Sequence, residues 1–182
     1  MDEFTDIFCA ASQEIPNEYF QLPVAGKEDP IYRERVYCYE LYHQLRSQWP
    51  QHTEYSLSGE VDKIGHELIR GDELDRKKPD FLVHEPGVME HNYLIIEVKP
   101  SNADREGIEK DLKTLTAFRT KGGYSKAIFL IYGGPNSNLE KIKTTSKNIF
   151  AEINNNEKIN LNLIELWHHP NPGEQAYLVN WE

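Results

Sequence analysis

Three ionisable side chains near the middle of the chain have the types and spacing of a site for metal-assisted hydrolysis. Residues 93–99 form an apolar run with the period of a β-strand, in which Glu97 and Lys99 project from the same side, about 7 Å apart along the backbone. Asp80 stands immediately before a second short strand, residues 81–84. If the two strands pair as a hairpin, the carboxylates of Asp80 and Glu97 meet near the end of the ladder.

Two facing carboxylates repel each other unless a cation lies between them. Mg²⁺ is commonly held by one or two carboxylates together with waters and substrate phosphate. Lys99 would then stand where an ammonium group can orient or deprotonate a water, or stabilise charge that develops on a phosphate. The pattern therefore predicts a divalent-metal site built from Asp80 and Glu97, with Lys99 beside it.

The same residues resemble a known family. Pro79-Asp80, sixteen intervening residues, and then Glu97-Val98-Lys99 resemble the signature of the PD-(D/E)XK nuclease superfamily, which has the restriction-endonuclease-like fold. The resemblance covers residues 31–132. It implies that Asp80 and Glu97 bind the metal ion and that Lys99 acts on the nucleophilic water.

Many members of this superfamily also place a metal-binding glutamate on the opening helix. Glu34 is the first choice, because it shares a helical face with Cys38, Leu41 and Leu45. Glu40 lies about 120° away on the same helix and is the second choice. Glu60, on the first predicted strand, is the third. The expected catalytic set is Asp80, Glu97, Lys99 and Glu34, with Asp80, Glu97 and Glu34 as metal ligands.

The resemblance implies a Mg²⁺-dependent endonuclease that hydrolyses DNA phosphodiester bonds, with Mn²⁺ as a substitute ion and with a role in restriction, repair or defence against foreign DNA. DNA is the expected partner and RNA is a second one. Double-strand cutters of this fold often pair, so a homodimer or a larger complex is also considered. The alternative is a restriction-like domain without catalytic activity that serves as a protein-binding subunit.

Charge is the observation behind that alternative. The chain of 182 residues has a formal net charge of −10, whereas nucleic-acid binders usually present a basic face. The distribution is uneven, since residues 99–126 contain seven bases and four acids, net +3. Arg76, Lys77 and Lys78 form a second basic cluster just before Asp80. A local positive stripe beside an acidic body is therefore expected.

The elements that must position the site follow from periodicity, turn residues and breakers. Residues 1–30 are expected to be an acidic N-terminal segment packed on the core or shielding the site, with a short helix at its start. Residues 31–182 are expected to form a nuclease-like α/β domain, a mixed sheet flanked by helices. Helices are predicted at 31–49, 104–119 and 137–154, and strands at 55–61, 81–84, 93–99, 127–132, 159–167 and 176–181, with Ser137 and Glu140 as a capping box.

Other candidate residues are interpreted more simply. Cys9 and Cys38 have no metal-ligand spacing and are expected to be small core residues. The histidines lack a tight ligand spacing and are expected to be exposed or partly exposed, and the tyrosines of the first long helix are expected to fill the edge of the core. The acidic start lacks the basic region of a signal peptide, and no apolar run approaches the roughly 18 residues of a membrane span, so a cytoplasmic protein is expected. The histidines meant here are His66, His84, His91, His168 and His169, and the tyrosines are Tyr32, Tyr37, Tyr39 and Tyr42.

Overall fold

A six-stranded mixed sheet forms the centre of the protein in the computed structural model, which describes residues 3–60, 74, 77–88, 90–153 and 158–182. The strands lie in the sheet in the order of the chain, β1 to β6. The first three are antiparallel to one another, β4 and β5 continue parallel to β3, and β6 returns antiparallel to β5. The strands are β1 Ser56–Gly59, β2 Phe81–His84, β3 Asn92–Pro100, β4 Lys126–Tyr132, β5 Glu165–His169 and β6 Tyr177–Val179.

Within the described ranges, five α-helices cover the two faces of this sheet, and the alternation of side chains along the strands explains why. On β3, Leu94, Ile96 and Val98 pack into one apolar cluster with α1, α2 and α3. Ile95, on the opposite side of the strand, packs into a second cluster with α4 and α5. The helices are α1 Glu3–Gln13, α2 Asn17–Phe20, α3 Glu34–Ser47, α4 Arg105–Thr120 and α5 Asn136–Ile153.

The predicted α/β class, with a mixed sheet flanked by helices, is confirmed. The acidic N-terminal segment contributes directly to the core, since Phe4 and Phe8 of α1 are buried in the first cluster. The short helix α2 was not predicted, because its four residues lie between proline breakers and show no usable periodicity. The boundary between residues 30 and 31 stays a prediction.

Several local predictions were wrong. Ser137 lies inside α5, which begins at Asn136, so Ser137 does not cap that helix. The strand predicted from residue 159 starts only at Glu165. A 3₁₀ turn at Leu161–Leu163 precedes it, and the side chain of Asn160 caps this turn by accepting a hydrogen bond from the Asn162 N–H at 3.1 Å. The buried apolar residue Leu161 therefore belongs to a turn and not to a pair of strands.

His168 and His169 were predicted to lie at the surface, and both are completely buried. They belong to the inner strand β5, and side chains of other elements cover their rings: Phe20 and Tyr37 contact His169, and Tyr177 contacts His168. The ring of His169 lies 2.7 Å from the Tyr37 hydroxyl and shares a hydrogen bond with it. His84 is half-buried and His91 is exposed, as predicted.

Predictions for residues 61–73 and 75–76 lie outside the described residues, and these include Asp62, Lys63, His66 and Arg76. Within the described ranges, no helix is long and apolar enough to cross a membrane.

Candidate metal and phosphate site

The β2–β3 ladder brings Asp80 and Glu97 to neighbouring positions. Phe81 pairs with Ile96 and Leu82 pairs with Ile95, so continuing the same register by one residue places Asp80 opposite Glu97. The backbone N–H of Val98 donates a hydrogen bond to Oδ2 of Asp80 at 2.7 Å. The carboxylate of Asp80 is thus fixed against β3 beside the buried side chain of Glu97.

Lys99 connects this strand to helices on both faces of the sheet. Its Nζ lies 2.8 Å from Oε2 of Glu34 on α3 and 3.0 Å from Oδ2 of Asp111 on α4. Gly107 lies beside this path, since a Cβ at that position would make an ordinary contact of 3.4 Å with Cε of Lys99 and a tight one of 3.1 Å with Oδ1 of Asp104. The ammonium group therefore sits between two carboxylates, at the carboxyl end of β3.

The three glutamates considered from the sequence lie in different places. Glu34, the first residue of α3, contacts Lys99. Glu40 accepts a hydrogen bond from Gln44 on its own helix at 2.7 Å, and Glu60 is paired with Arg35 at 3.2 Å. The structure thus brings Glu34 to Lys99, while the contacts of Glu40 and Glu60 are made elsewhere on α3.

Asp111 is the functional candidate that the sequence interpretation missed. Its side chain is 1% exposed although it lies on a helix with many solvent-facing charges. The signal was present, since Asp111 falls at helical spacing between Ile108 and Leu115 on the face predicted to point inward. A charged residue on a buried helical face needs a partner, and Lys99 is that partner.

Burial and mutual repulsion raise the pKa values of the carboxyl groups. Burial is the first cause of the raised pKa of Glu97, which lies well above its ordinary value, and the nearby Asp111 and Asp80 add to it. Burial likewise raises the pKa of Asp80 to about 7, against the opposing effect of the Val98 hydrogen bond. Burial also raises the pKa of Asp111 to about 6, although Lys99 acts in the other direction.

The pKa of Lys99 is shifted in the opposite direction from that of an ordinary buried lysine. Burial tends to lower its pKa, but Asp111 and Glu34 together raise the pKa above its ordinary value. The side chain is therefore an ammonium ion at neutral pH. It can donate hydrogen bonds and stabilise negative charge, and it is a poor proton acceptor.

The donor set fits a hard divalent cation. Glu34, Asp80, Glu97 and Asp111 carry four negative charges when ionised and Lys99 carries one positive charge, which leaves a formal charge of −3. Carboxylate oxygens are the ligands that Mg²⁺ prefers, and burial, together with the neighbouring acids, raises the pKa values of Asp80 and Glu97. Asp80, Glu97 and Glu34 are the residues that would hold the ion.

No three of the four carboxylates Glu34, Asp80, Glu97 and Asp111 have ligand oxygens that all lie within 4.8 Å of one another. Among the described residues, the group of three whose ligand atoms all lie within 4.8 Å of one another is Glu54, Glu85 and His91. That group lies beside the β2–β3 turn, at the other end of the hairpin from Asp80, and two of its members are exposed. It is an acidic surface cluster in which Glu85 and His91 form an ion pair.

A groove with basic side chains lies along α4, close to the candidate site. It is lined by Lys77, Arg105, Lys110 and Lys113 together with Glu106 and Glu109. Arg105 is paired with Glu152, and Lys113 with Glu109 at 2.6 Å. Lys110 directly precedes Asp111 on α4, and its charge acts to lower the pKa of both Glu97 and Asp111. Basic side chains therefore line this groove, and acidic side chains neutralise part of their charge, while a positive stripe stays a prediction.

Comparisons of the chain with protein-family models, with curated proteins and with solved structures find no match. The functional argument therefore depends on the geometry and chemistry of the site.

Proposed function

We propose that this protein is a Mg²⁺-dependent endonuclease with a restriction-endonuclease-like fold, in which Asp80, Glu97 and Glu34 hold the metal ion. The observation that supports the proposal best is the opposition of Asp80 and Glu97 across the β2–β3 ladder, with Lys99 two residues further along β3. The arrangement of helix, three antiparallel strands, helix and parallel strand in residues 34–132 supports the fold assignment.

The residues of the chain have separate roles in this proposal. The metal ion, when bound, polarises the scissile phosphate and lowers the pKa of a bound water. Lys99 keeps its proton and stabilises the negative charge on the phosphate, because its raised pKa disfavours a role as general base. Asp111 is a positioning residue that holds the Lys99 ammonium group from the α4 side, and the basic groove supplies Lys110 and Lys77 for phosphates further along the strand.

Calorimetric titration with Mn²⁺ and Mg²⁺ tests the metal site. We expect the wild-type protein to bind and both Asp80→Ala and Glu97→Ala to lose binding, while Glu85→Ala, at the far end of the same hairpin, binds like wild type. The same proteins are then incubated with single- and double-stranded DNA and RNA in the presence of Mn²⁺. Intact substrates with wild-type protein, in every combination, would refute the nuclease.

The second candidate function is a non-catalytic, protein-binding subunit with the same fold. It is favoured by the net charge of −10 and by the pairing of Lys99 with two carboxylates, which leaves the ammonium group partly neutralised. A stable complex with a basic partner protein, combined with no metal binding in the absence or presence of a short DNA duplex, would support it. Mn²⁺ binding that is lost in Asp80→Ala would count against it.

A further inference from the structure

A pocket lined by tyrosines opens beside Asp80 on the α3 side of the sheet edge. Its lining residues are Cys38, Tyr39, Tyr42, Gly59, Glu60, Asp80 and Phe81, and its volume is about 470 Å³. This volume is in the range of pockets that bind small molecules. We call this feature the tyrosine pocket.

The pocket has aromatic walls, and one of them is open to solvent. Tyr39 is 62% exposed, which is unusual for a large aromatic side chain in a described region whose other α3 tyrosines are buried or half-buried. Tyr42 stacks on Phe81 with a ring-centroid distance of 6.4 Å and an angle of 9° between the rings, so the inner wall is held in place. An exposed ring over a fixed aromatic wall provides flat faces on which a planar ligand can stack.

The rim of the pocket is polar and is tied to the candidate site. Glu60 adopts a left-handed backbone conformation with φ of 45°, which is uncommon for a residue other than glycine. Its backbone N–H donates to the carbonyl oxygen of Asp80 at 3.2 Å. The side chain of Glu60, which lines the pocket, forms an ion pair with Arg35 at 3.2 Å. Carboxylate acceptors of Glu60 and Asp80 therefore stand next to the aromatic walls.

We infer that the tyrosine pocket receives one unpaired nucleobase of the substrate, next to the phosphate that a metal ion at Asp80 would bind. This inference rests on the proposed nuclease function and specifies its substrate as single-stranded or locally unpaired nucleic acid. Three properties of the pocket suit a nucleobase: flat aromatic walls, hydrogen-bonding groups at the rim, and direct contact with a residue of the metal site. A base inside a duplex has both faces covered by its neighbours, so it has to leave the stack before it can enter.

Binding of a nucleobase in the tyrosine pocket is also compatible with the negative net charge of the chain. A nucleobase is neutral, so it can bind between Glu60 and Asp80 without the repulsion that a phosphate would meet there. Stacking on tyrosine would supply affinity that a protein with a net charge of −10 does not gain from long-range attraction.

The test measures binding of a short fluorescent single-stranded DNA by anisotropy, without divalent cations so that no strand is cut. We expect Tyr39→Ala to weaken binding about ten-fold, because the stacking of one base on an aromatic side chain is lost. Tyr39→Phe keeps the ring and should stay within about two-fold of wild type. Tyr177→Ala is the matched control, since Tyr177 is 43% exposed but lies on β6 at the other edge of the sheet.

A strand in which one nucleotide lacks its base makes the test specific. If a base occupies the pocket, moving the abasic position along the strand should reveal one position at which Tyr39→Ala has no further effect. Thermal unfolding of each variant checks that the exposed substitution leaves the fold intact.

The possible results separate the pocket from the nuclease. The pocket is overturned if the wild type does not bind the single strand. It is also overturned if Tyr39→Ala binds both single strand and duplex as tightly as wild type does, or loses the same affinity for both. Cleavage in Mn²⁺, abolished in Asp80→Ala, is measured separately and decides the nuclease. Binding that depends on Tyr39 without any cleavage would support the pocket and refute the proposed activity.

Discussion

At the scale of single residues, Lys99 holds together the two halves of the candidate site. It is the one described cation placed between Glu34 and Asp111 by ion-pair distances, and it is largely buried. Removing one member of a buried ion pair leaves the other charge without compensation, which destabilises a protein more than the pair itself stabilised it. The stability of the site and its chemistry therefore both depend on this side chain.

Lys99→Met should lower the free energy of unfolding by about 3 kcal/mol, because Asp111 stays buried without its partner. The double variant Lys99→Met/Asp111→Asn should regain part of that loss, since the uncompensated charge is gone. Urea denaturation of the wild type, both single variants and the double variant measures the coupling. Additive losses would show that the 3.0 Å contact between Lys99 and Asp111 contributes little.

The raised pKa of Asp80 makes metal binding depend on pH near neutrality. A carboxylate binds a cation only after losing its proton, so affinity weakens as the pH falls through the pKa of about 7. Between pH 8 and pH 6 the dissociation constant for Mn²⁺ should rise roughly ten-fold for this one proton, and further if Glu97 also has to be deprotonated. Asp80→Asn should show weak binding with a flatter pH profile. A wild-type affinity that is constant over this range would contradict the raised pKa.

At the scale of elements, α4 carries Asp111 and the groove-lining residues and depends on its N-terminal cap. Oδ1 of Asp104 accepts a hydrogen bond from the Gly107 N–H at 2.8 Å. Loss of such a cap typically costs about 1 kcal/mol. Because this first turn also packs against the side chain of Lys99 at Gly107, the cap fixes the end of the helix nearest the site.

Asp104→Ala should therefore lower the melting temperature by about 2–4 °C. Asp104→Ser, which retains an oxygen able to accept from the same N–H, should recover most of this loss. Mn²⁺ affinity should change little in either variant, because Asp104 is not among the proposed ligands. A large loss of metal binding in Asp104→Ala, measured by calorimetry, would show that Asp104 itself contributes to the site.

The same elements show how far the sequence could be interpreted. Glu97 and Lys99 could be assigned to one strand because alternation along an apolar run is a strong local signal. The registration of Asp80 with Glu97 followed from the short connection between two antiparallel strands. The ion pair of Lys99 with Asp111 could not be derived in this way, because it depends on how α4 packs across β3 and β4. His168 and His169 were misjudged for a similar reason, since they are covered by side chains of other elements, such as Tyr37 of α3 and Tyr177 of β6.

At the scale of the whole molecule, the hydrogen bond between Tyr37 and His169 links residues that are 132 positions apart along the chain. Tyr37 belongs to α3 and His169 to β5, and both are completely buried beside Phe20 and Tyr132. Burial lowers the pKa of His169 to about 4, and the neighbouring His168 contributes in the same direction. A neutral imidazole is therefore part of the folded core.

This buried histidine should make the folded state sensitive to acid. In the unfolded chain the pKa of histidine is about 6.5, so between about pH 6.5 and pH 4 the unfolded state binds a proton that the folded state does not. The free energy of unfolding should fall as the pH is lowered through this window, by up to about 3 kcal/mol from His169. Raising the pH above 6.5 should restore the whole contribution.

His169→Gln, which keeps hydrogen-bonding groups near Tyr37, should be less stable at neutral pH but lose less stability on acidification. Urea unfolding curves at about pH 4.5, 5.5 and 7, which lie roughly 2 units below, 1 unit below and 0.5 unit above the unfolded pKa, measure both slopes. Equal slopes for wild type and variant would mean that His169 is protonated as readily in the folded protein as in the unfolded chain.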